Sequence, residues 1–271
     1  MPQIKINMHF PVLVSVLFLT SCNQATTTSD KNDKDSIQVA TTGDTTFMPA
    51  YDPKLDPFTV AGANAKLLHD SLGIKIFEWW IKPGELLPLH IHPDHAMYVL
   101  EGGLAKAYFP DIPESRNGDS FEVKKGAAWA TGPYKDSARN IGNTTIKMLE
   151  IDIYRPAGIE MPANADYDST IDAFTLGGES VQKLADTLGI KMFIATMKPG
   201  DTATLHSHPD HTVYVFDGGE IAVTLKDGTR NIMKLQKGLG FVGGPFSDAA
   251  KNTGKTTVKL LMTHIYRPRN K

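Results

Sequence analysis

The chain has 271 residues, a formal net charge of −2 and one cysteine. Its lysines and arginines are scattered rather than clustered, so we expect neither a nucleic-acid partner nor a strongly acidic one. The length allows two domains of about a hundred residues, each large enough for one hydrophobic core.

The N-terminus has the features of a processed segment. Lys5 provides a short basic start, and Phe10 to Leu19 are almost wholly apolar, but this run is too short to span a bilayer as a permanent helix. Leu19, two small residues and Cys22 follow in an order that resembles the lipobox of bacterial lipoproteins. We therefore predict a signal peptide over residues 1–21 and acylation of Cys22. An ordinary signal peptide with an incidental cysteine is the alternative.

Acylation of Cys22 would anchor the chain to a membrane of the bacterial cell envelope. Asn23 stands where an aspartate is associated with inner-membrane retention, so the outer membrane is favoured. No thiol would remain for disulfides or for thiolate metal ligands. Residues 22–50 are rich in Thr, Ser, Asn, Asp and Lys. They cannot bury enough apolar surface to offset their ordering entropy, so we predict a flexible, disordered tether.

Beyond residue 50 the pattern is typical of an all-β protein. Short apolar or alternating segments are bounded by Gly, Pro, Asn and Asp, as in a sandwich or barrel. The predicted strands are Ile74–Ile81, Met97–Leu100, Ile146–Tyr154, Lys191–Met197, Val213–Phe216 and Thr257–Tyr266. The best helical candidate is the short segment Asn64–Leu72.

The sequence is duplicated. Leu72-Gly-Ile-Lys75 and Lys82-Pro-Gly84 recur 116 residues later, and Ile153-Tyr-Arg-Pro156 recurs 112 residues later. The second copy has therefore lost four residues, which lie between its glycine pair Gly218-Gly219 and Lys237. A period of this length matches a domain rather than a solenoid repeat. We predict a first domain over residues 51–156, a linker over 157–166 and a second domain over 167–271.

Each copy contains a dense histidine motif. Six of the nine histidines lie in Leu89-His-Ile-His-Pro-Asp-His95 and Leu205-His-Ser-His-Pro-Asp-His211. On a strand, His90 and His92 point to the same face. Pro93 interrupts the strand, so a turn there can return His95 to the same interior. Solvent-facing strand residues are the alternative, but three converging imidazoles in each copy favour metal ligation.

The motif resembles the first conserved motif of the cupin superfamily, and its duplication resembles a bicupin. Gly84 begins the motif, His90 and His92 fill H-x-H, and Gly102 closes it, while His95 occupies the position of the usual glutamate. The resemblance implies two tandem double-stranded β-helix (jelly-roll) barrels, each with a divalent metal.

The second cupin motif resembles the segment from Gly126 to Asn140 and the segment from Gly238 to Asn252. At the family's histidine ligand the chain has Asp136 in one copy and Asp248 in the other. The resemblance implies that these carboxylates are ligands, and a role as turn residues capping backbone N–H groups is the alternative. The implied metal ligands are His90, His92, His95, Asp136, His206, His208, His211 and Asp248. Nitrogen and oxygen donors together favour iron, manganese or zinc over copper.

Three further sets of residues carry weaker signals. Asp94 and Asp210 follow the prolines and are interpreted as turn formers or as hydrogen-bond partners of an imidazole. Trp79, Trp80 and Trp129 have no tryptophan counterparts in the second copy and are interpreted as packing residues, with a ligand-pocket wall as the alternative. His264 shows no partner in the sequence and is interpreted as structural.

Two functions fit this pattern. The resemblance implies a metalloenzyme of dioxygenase, decarboxylase or isomerase type, acting on a small oxygenated molecule with two metal positions left open by four protein ligands. No nucleophile or nucleotide-binding motif is present, so the metal sites are the visible source of chemistry. The alternative is a non-catalytic lipoprotein that binds a metal or a small ligand. A structural barrel with vestigial sites is a third hypothesis. We expect a monomer, because two fused barrels already provide the pairing that single cupins often achieve by dimerising.

Overall fold

The computed structural model describes residues 52–111, 117–160 and 166–269. The predicted signal peptide, Cys22 and the predicted tether lie outside the described residues. Within the three described ranges, no helix combines the length and apolar character that crossing a bilayer requires.

The first repeat forms a barrel of two antiparallel sheets. Its strands are β1 (Ala65–Ser71), β2 (Ile74–Ile81), β3 (Leu86–His92), β4 (Asp94–Glu101), β5 (Gly103–Tyr108), β6 (Ser120–Val123), β7 (Ala128–Thr131), β8 (Tyr134–Asn140) and β9 (Ile146–Ile153). One sheet has the order β1-β2-β9-β4-β7, and the other has the order β3-β8-β5-β6.

The second repeat has the same topology. Its strands are β10 (Val181–Thr187), β11 (Ile190–Met197), β12 (Thr202–His208), β13 (Asp210–Asp217), β14 (Gly219–Leu225), β15 (Arg230–Leu235), β16 (Gly240–Gly243), β17 (Phe246–Asn252) and β18 (Val258–Ile265). One sheet has the order β10-β11-β18-β13-β16, and the other has the order β12-β17-β14-β15. The prediction of an all-β fold with two tandem jelly-roll barrels is confirmed. The four-residue deletion falls in the connection between β14 and β15, which is shorter than that between β5 and β6.

Among the described residues, the helices are short and lie before the first strand of each barrel. They are α1 (Pro57–Ala61), α2 (Ala173–Leu176) and the 3-10 turns Pro53–Leu55, Gly62–Asn64, Ser169–Ile171 and Gly178–Ser180. The predicted helix over Asn64–Leu72 is wrong, because this segment forms β1 and pairs with β2. A register shift between Leu67 and His69 breaks the two-residue alternation, and a bulge of this kind gives a strand a helix-like apolar spacing.

One hydrophobic cluster lies between the two barrels and contains residues of both, in addition to the core inside each barrel. In β2, Ile74 and Ile76 pack against the second barrel, whereas Phe77 and Trp79 face the interior of their own barrel. Ile190 and Ile265 belong to the same shared core on the other side. These strands are buried on both faces, so they have nearly continuous apolar sequences. The predicted domain boundaries stay a prediction.

Reciprocal ion pairs join the barrels at the edge of this core. Arg267 Nη2 lies 2.7 Å from Asp94 Oδ2, and Arg155 Nη1 lies 2.8 Å from Asp210 Oδ2. Arg269 also pairs with Asp210, at 2.5 Å. Both aspartates of the histidine motifs therefore serve the contact between the repeats, and the duplicated Ile-Tyr-Arg-Pro motif supplies their partners. Their interpretation as imidazole partners is not supported by these contacts.

Substitution Asp210→Asn should destabilise the protein substantially. The side chain of Arg155 is fully buried, so losing its carboxylate leaves an uncompensated buried charge, which costs about 3 kcal/mol or more. Urea denaturation at pH 7 would measure this loss. The matched control is Asp217→Asn, whose partner Lys237 lies 4.0 Å away with both side chains more than half exposed. This surface pair should contribute less than about 1 kcal/mol. Equal effects of the two substitutions would contradict the prediction.

Candidate metal centres

The first histidine cluster lies inside the first barrel, where β3 meets β8. His90 and His92 share one face at the end of β3, and Asp136 of β8 is the direct cross-strand partner of His90. The chain then passes at Pro93 to the other sheet, and His95 enters the interior from β4. All three imidazoles and the carboxylate are buried. The strand pairing thus brings together residues that are 46 positions apart.

Two of these imidazoles converge on the carboxylate. The Nε2 atoms of His90 and His92 lie 3.1 and 3.2 Å from Asp136 Oδ1, and one ligand atom from each of the three residues lies within 4.8 Å of the others. His95 is outside this set, with its ring centroid 4.6 Å from that of His92. Two imidazole nitrogens and a carboxylate oxygen are a donor set that zinc, iron and manganese accept.

The outer nitrogen of each imidazole is already bonded. His90 Nδ1 donates to Pro88 O at 2.7 Å, and His95 Nδ1 donates to Pro93 O at 2.8 Å. A neutral ring that donates from Nδ1 carries its lone pair on Nε2. The backbone therefore sets the tautomer that a metal ligand needs.

His95 leaves a buried nitrogen without a partner. Its Nε2 makes no hydrogen bond, and burial together with the charge on His92 lowers the pKa of His95 to about 4. An unpaired buried polar atom costs about 1–3 kcal/mol. A metal ion is the type of partner that this neutral ring lacks, so the residues of the first cluster fit a divalent cation.

A buried carboxylate, Glu150 of β9, stands behind the second ligand. His92 Nδ1 donates to Glu150 Oε1 at 2.6 Å, and Trp79 Nε1 donates to Glu150 Oε2 at 2.6 Å. Burial lowers the pKa of His92, but the charges and hydrogen bonds of Glu150 and Asp136 outweigh it and raise that pKa to about 10. A bound cation would compete with this proton, as metal binding to histidine generally does.

Asp152 lies next to Glu150 on the same strand face. Burial and the neighbouring Glu150 charge raise the pKa of Asp152 well above its usual range. Burial also acts to raise the pKa of Glu150, but the charge of His92 and its hydrogen bond hold that pKa below the usual range of a glutamate. His92, Glu150 and Asp152 form a further group of close ligand atoms. Two carboxyl groups in one buried patch cannot both ionise readily, so Asp152 holds a proton more tightly than Glu150 does.

The second barrel repeats the cluster with a wider spacing. Asp248 is the cross-strand partner of His206, and the Nε2 atoms of His206 and His208 lie 3.6 and 3.5 Å from its Oδ1. This oxygen is buried and makes no hydrogen bond. His211 lies outside the set of close ligand atoms. The orphaned oxygen fits a cation in this barrel as well.

His264, not a carboxylate, supports the second ligand here. His208 Nδ1 lies within hydrogen-bond distance of His264 Nε2, at 3.0 Å, and His264 Nδ1 lies 3.5 Å from Asp172 Oδ2. Tyr266 also donates to Asp172, at 2.5 Å. Burial lowers the pKa of His264 to about 4 despite the nearby Asp172. His264 therefore has a partner that the sequence did not show.

The predicted ligands thus fall into two groups. His90, His92 and Asp136 come together, as do His206, His208 and Asp248, whereas His95 and His211 stand beside these sets. Sequence reasoning did not identify Glu150 or Asp172. It interpreted Trp79 as a packing residue and His264 as structural, without the supporting role that the contacts show. One signal for Glu150 was available in the sequence. Glu150 and Asp152 lie two positions apart in an otherwise apolar strand, and buried carboxylates require partners.

Comparisons with known proteins support the fold. No protein-family model and no curated protein sequence matches the chain. Among solved structures, AerE from Microcystis aeruginosa is 11% identical and gives a TM-score of 0.52. The alignment covers 74% of this chain and 92% of the AerE chain. The cupin 2 conserved barrel domain protein from Leptotrichia buccalis is 16% identical, with coverages of 74% and 88% and a TM-score of 0.44.

A salicylate 1,2-dioxygenase from Pseudaminobacter salicylatoxidans is 13% identical, with coverages of 76% and 77% and a TM-score of 0.49. Similarity at this level concerns architecture, because function depends on the site rather than on the fold. The strand order and the duplicated histidine motif agree with the fold predicted from the sequence. The chain has two tandem jelly-roll barrels, and the similarity to AerE supports this architecture.

The metal-free protein should lose stability as the pH falls below neutral. His95, His208, His211 and His264 have pKa values lowered to about 4, primarily by burial. Between pH 6.5 and 4 the unfolded chain therefore binds protons that the folded chain does not, and stability falls with pH. His92 contributes in the opposite window, because its stabilisation is complete below pH 6.5 and is lost as the pH rises toward 10.

Urea denaturation of chelator-treated protein at pH 6.5 and 4.5 would measure this change, which should be at least about 2 kcal/mol. The variant His264→Gln removes one of the shifted groups and should show a shallower dependence. A flat profile, or higher stability at pH 4.5, would be inconsistent with neutral buried histidines.

Proposed function

We propose that the protein is a metal-binding bicupin that holds one divalent cation in each barrel. The observation that carries this proposal is the same arrangement in both repeats: two imidazoles and a carboxylate converge inside the barrel with the outer imidazole nitrogens already bonded. Holding such groups together without a cation leaves buried polar atoms unpaired in both barrels, namely His95 Nε2 and Asp248 Oδ1. Iron, manganese and zinc suit the mixed nitrogen and oxygen donors.

We further propose that the metal sites act on a small oxygenated molecule, in a reaction of dioxygenase, decarboxylase or isomerase type. A bound ion would supply Lewis-acid, templating or redox chemistry. The chain's own residues hold the ligands in one tautomer and keep bulk water from the first cluster. The side chains of His90, His92 and Asp136 are at most 10% exposed, which favours a small substrate. Because the two barrels already share a core, we expect a monomer.

The alternative is a non-catalytic protein that binds a metal or a small ligand. The same burial favours it, since a closed ligand set can retain an ion without admitting a substrate. The two functions differ in what the loaded protein does. Turnover that depends on the metal distinguishes them.

Metal analysis of the full chain, purified in mild detergent, should find about two ions per molecule. His90→Ala and His206→Ala should each remove one ion, because each takes a nitrogen from one cluster. His69→Gln is the matched control and should retain both ions, since His69 lies outside both clusters and contacts the backbone of Val242. Inductively coupled plasma mass spectrometry would provide the counts.

Absence of bound metal under every loading condition would refute the proposal. If two ions are found, the loaded protein should be assayed on a panel of diols, keto acids and sugars. Turnover that disappears in His90→Ala or His206→Ala supports the enzyme, and no turnover on any of them favours the binding protein.

We also propose that the protein is a lipoprotein of the bacterial cell envelope, anchored through Cys22. The support is the sequence alone: a basic start, a short apolar run and the only cysteine at the lipobox position. Because Asn23 follows, the outer membrane is the proposed location.

Substitution Cys22→Ala should move the protein from the membrane fraction to the soluble fraction. The reason is that diacylation provides the membrane affinity of such a protein. Mass spectrometry of the N-terminal peptide should find a diacylglyceryl group on Cys22 in the unsubstituted protein. An unmodified cysteine in the membrane-bound protein would exclude the anchor.

A further inference from the structure

The metal ligands themselves do not distinguish the two barrels. Both clusters contain two histidines and an aspartate, and the first histidine of each donates from Nδ1 to a backbone carbonyl. The distances from His90 to Pro88 O and from His206 to Thr204 O are both 2.7 Å. A difference in metal binding must therefore come from the groups behind the ligands or from the spacing between them.

The groups behind the second histidine differ in charge. In the first barrel, His92 donates to the carboxylate of Glu150, whose side chain is completely buried. In the second barrel, His208 Nδ1 lies 3.0 Å from Nε2 of His264, an imidazole, which supplies no negative charge. The nearest anion along that path is Asp172, which lies one ring farther from the metal ligand.

This difference affects how strongly each imidazole binds a cation. An anionic acceptor draws the Nδ1 proton toward itself and increases the electron density on Nε2. A buried negative charge also attracts a cation directly, because the interior screens it poorly. The ring of His264 increases the electron density on Nε2 of its partner less than a carboxylate does, and it has no negative charge that attracts a cation. The charge of Asp172 is also shared with the hydroxyls of Tyr167 and Tyr266.

The spacing and burial of the ligands differ in the same direction. The imidazole-to-carboxylate distances are 3.1 and 3.2 Å in the first barrel but 3.6 and 3.5 Å in the second. The side chain of His90 is 1% exposed, whereas that of His206 is 15% exposed. The first cluster is therefore the more compact and the less hydrated.

We propose that Glu150 and His264 are positioning residues that make the two centres unequal, so that the first barrel binds a divalent cation more tightly than the second. This proposal rests on the proposed metal binding. At limiting metal the chain carries one ion, in the first barrel. The second centre fills only when more metal is free, so its occupancy follows the metal supply.

The test compares two single-site forms of the full chain. His206→Ala with His208→Ala leaves the first centre, and His90→Ala with His92→Ala leaves the second. Zinc alone is the probe, titrated against a competing chelator. The form with the first centre should bind zinc at least about 10-fold more tightly. Glu150→Gln in that form should reduce the affinity by about 10- to 100-fold, the range found when groups behind metal ligands are changed.

Two controls separate charge from structure. Glu150→Gln in the form with only the second centre should leave the zinc affinity unchanged, and melting of the zinc-free variants identifies any loss of fold. Trp79→Phe removes the other hydrogen bond to Glu150 but keeps its charge, so its effect should be smaller than that of Glu150→Gln.

The outcomes distinguish this inference from the function on which it rests. Equal zinc affinities of the two single-site forms overturn the inference alone, even if Glu150→Gln fails to fold. An unchanged affinity in folded Glu150→Gln also overturns it. Absence of zinc binding in both forms overturns the proposed function itself.

Discussion

The candidate centres depend on one constraint, the pairing register of β3 with β8 and of β12 with β17. In a strand, side chains alternate between faces, so a shift of one residue would turn the His-x-His pair out of the barrel. His90 opposes Asp136, and His206 opposes Asp248. Both pairings contain a register shift just before the first histidine. These irregularities set the phase with which the imidazoles enter the interior.

Placing so many polar groups inside a barrel requires a partner for nearly all of them. The backbone carbonyls two residues before the first and third histidines accept from their imidazoles, so this support is local. The second imidazole receives its partner from β9 or β18, strands of the other sheet. Each cluster therefore ties the two sheets of its barrel together, because the ligands and their support come from opposite walls. A cation bound there would reinforce the same closure.

Local patterns predicted much of this structure. The spacing of His90 and His92, with the proline after them, was enough to place both rings on one face, and the duplication predicted two equivalent barrels. The assignment of Asn64–Leu72 to a helix failed because a bulge is invisible in a single sequence. The contacts of Glu150 and His264 could not be predicted from local patterns, because their partners His92 and His208 lie 58 and 56 residues away in the sequence. The ion pairs of Asp94 with Arg267 and of Asp210 with Arg155 could not be predicted, because in each pair the arginine belongs to the other barrel and only the packing of the repeats brings it close.

The differences between the barrels are coupled rather than independent. Glu150 uses one oxygen for His92 and the other for Trp79, so losing the indole would leave a buried carboxylate oxygen without a donor. In the second repeat, Ala195 and Met262 stand at the corresponding positions, so the indole and the carboxylate are absent together. His264 stands where the first repeat has Asp152, two residues along the same strand face, and it reaches His208 from there. The two centres therefore differ as a set, because Trp79, Glu150 and Asp152 of the first barrel correspond to Ala195, Met262 and His264 of the second.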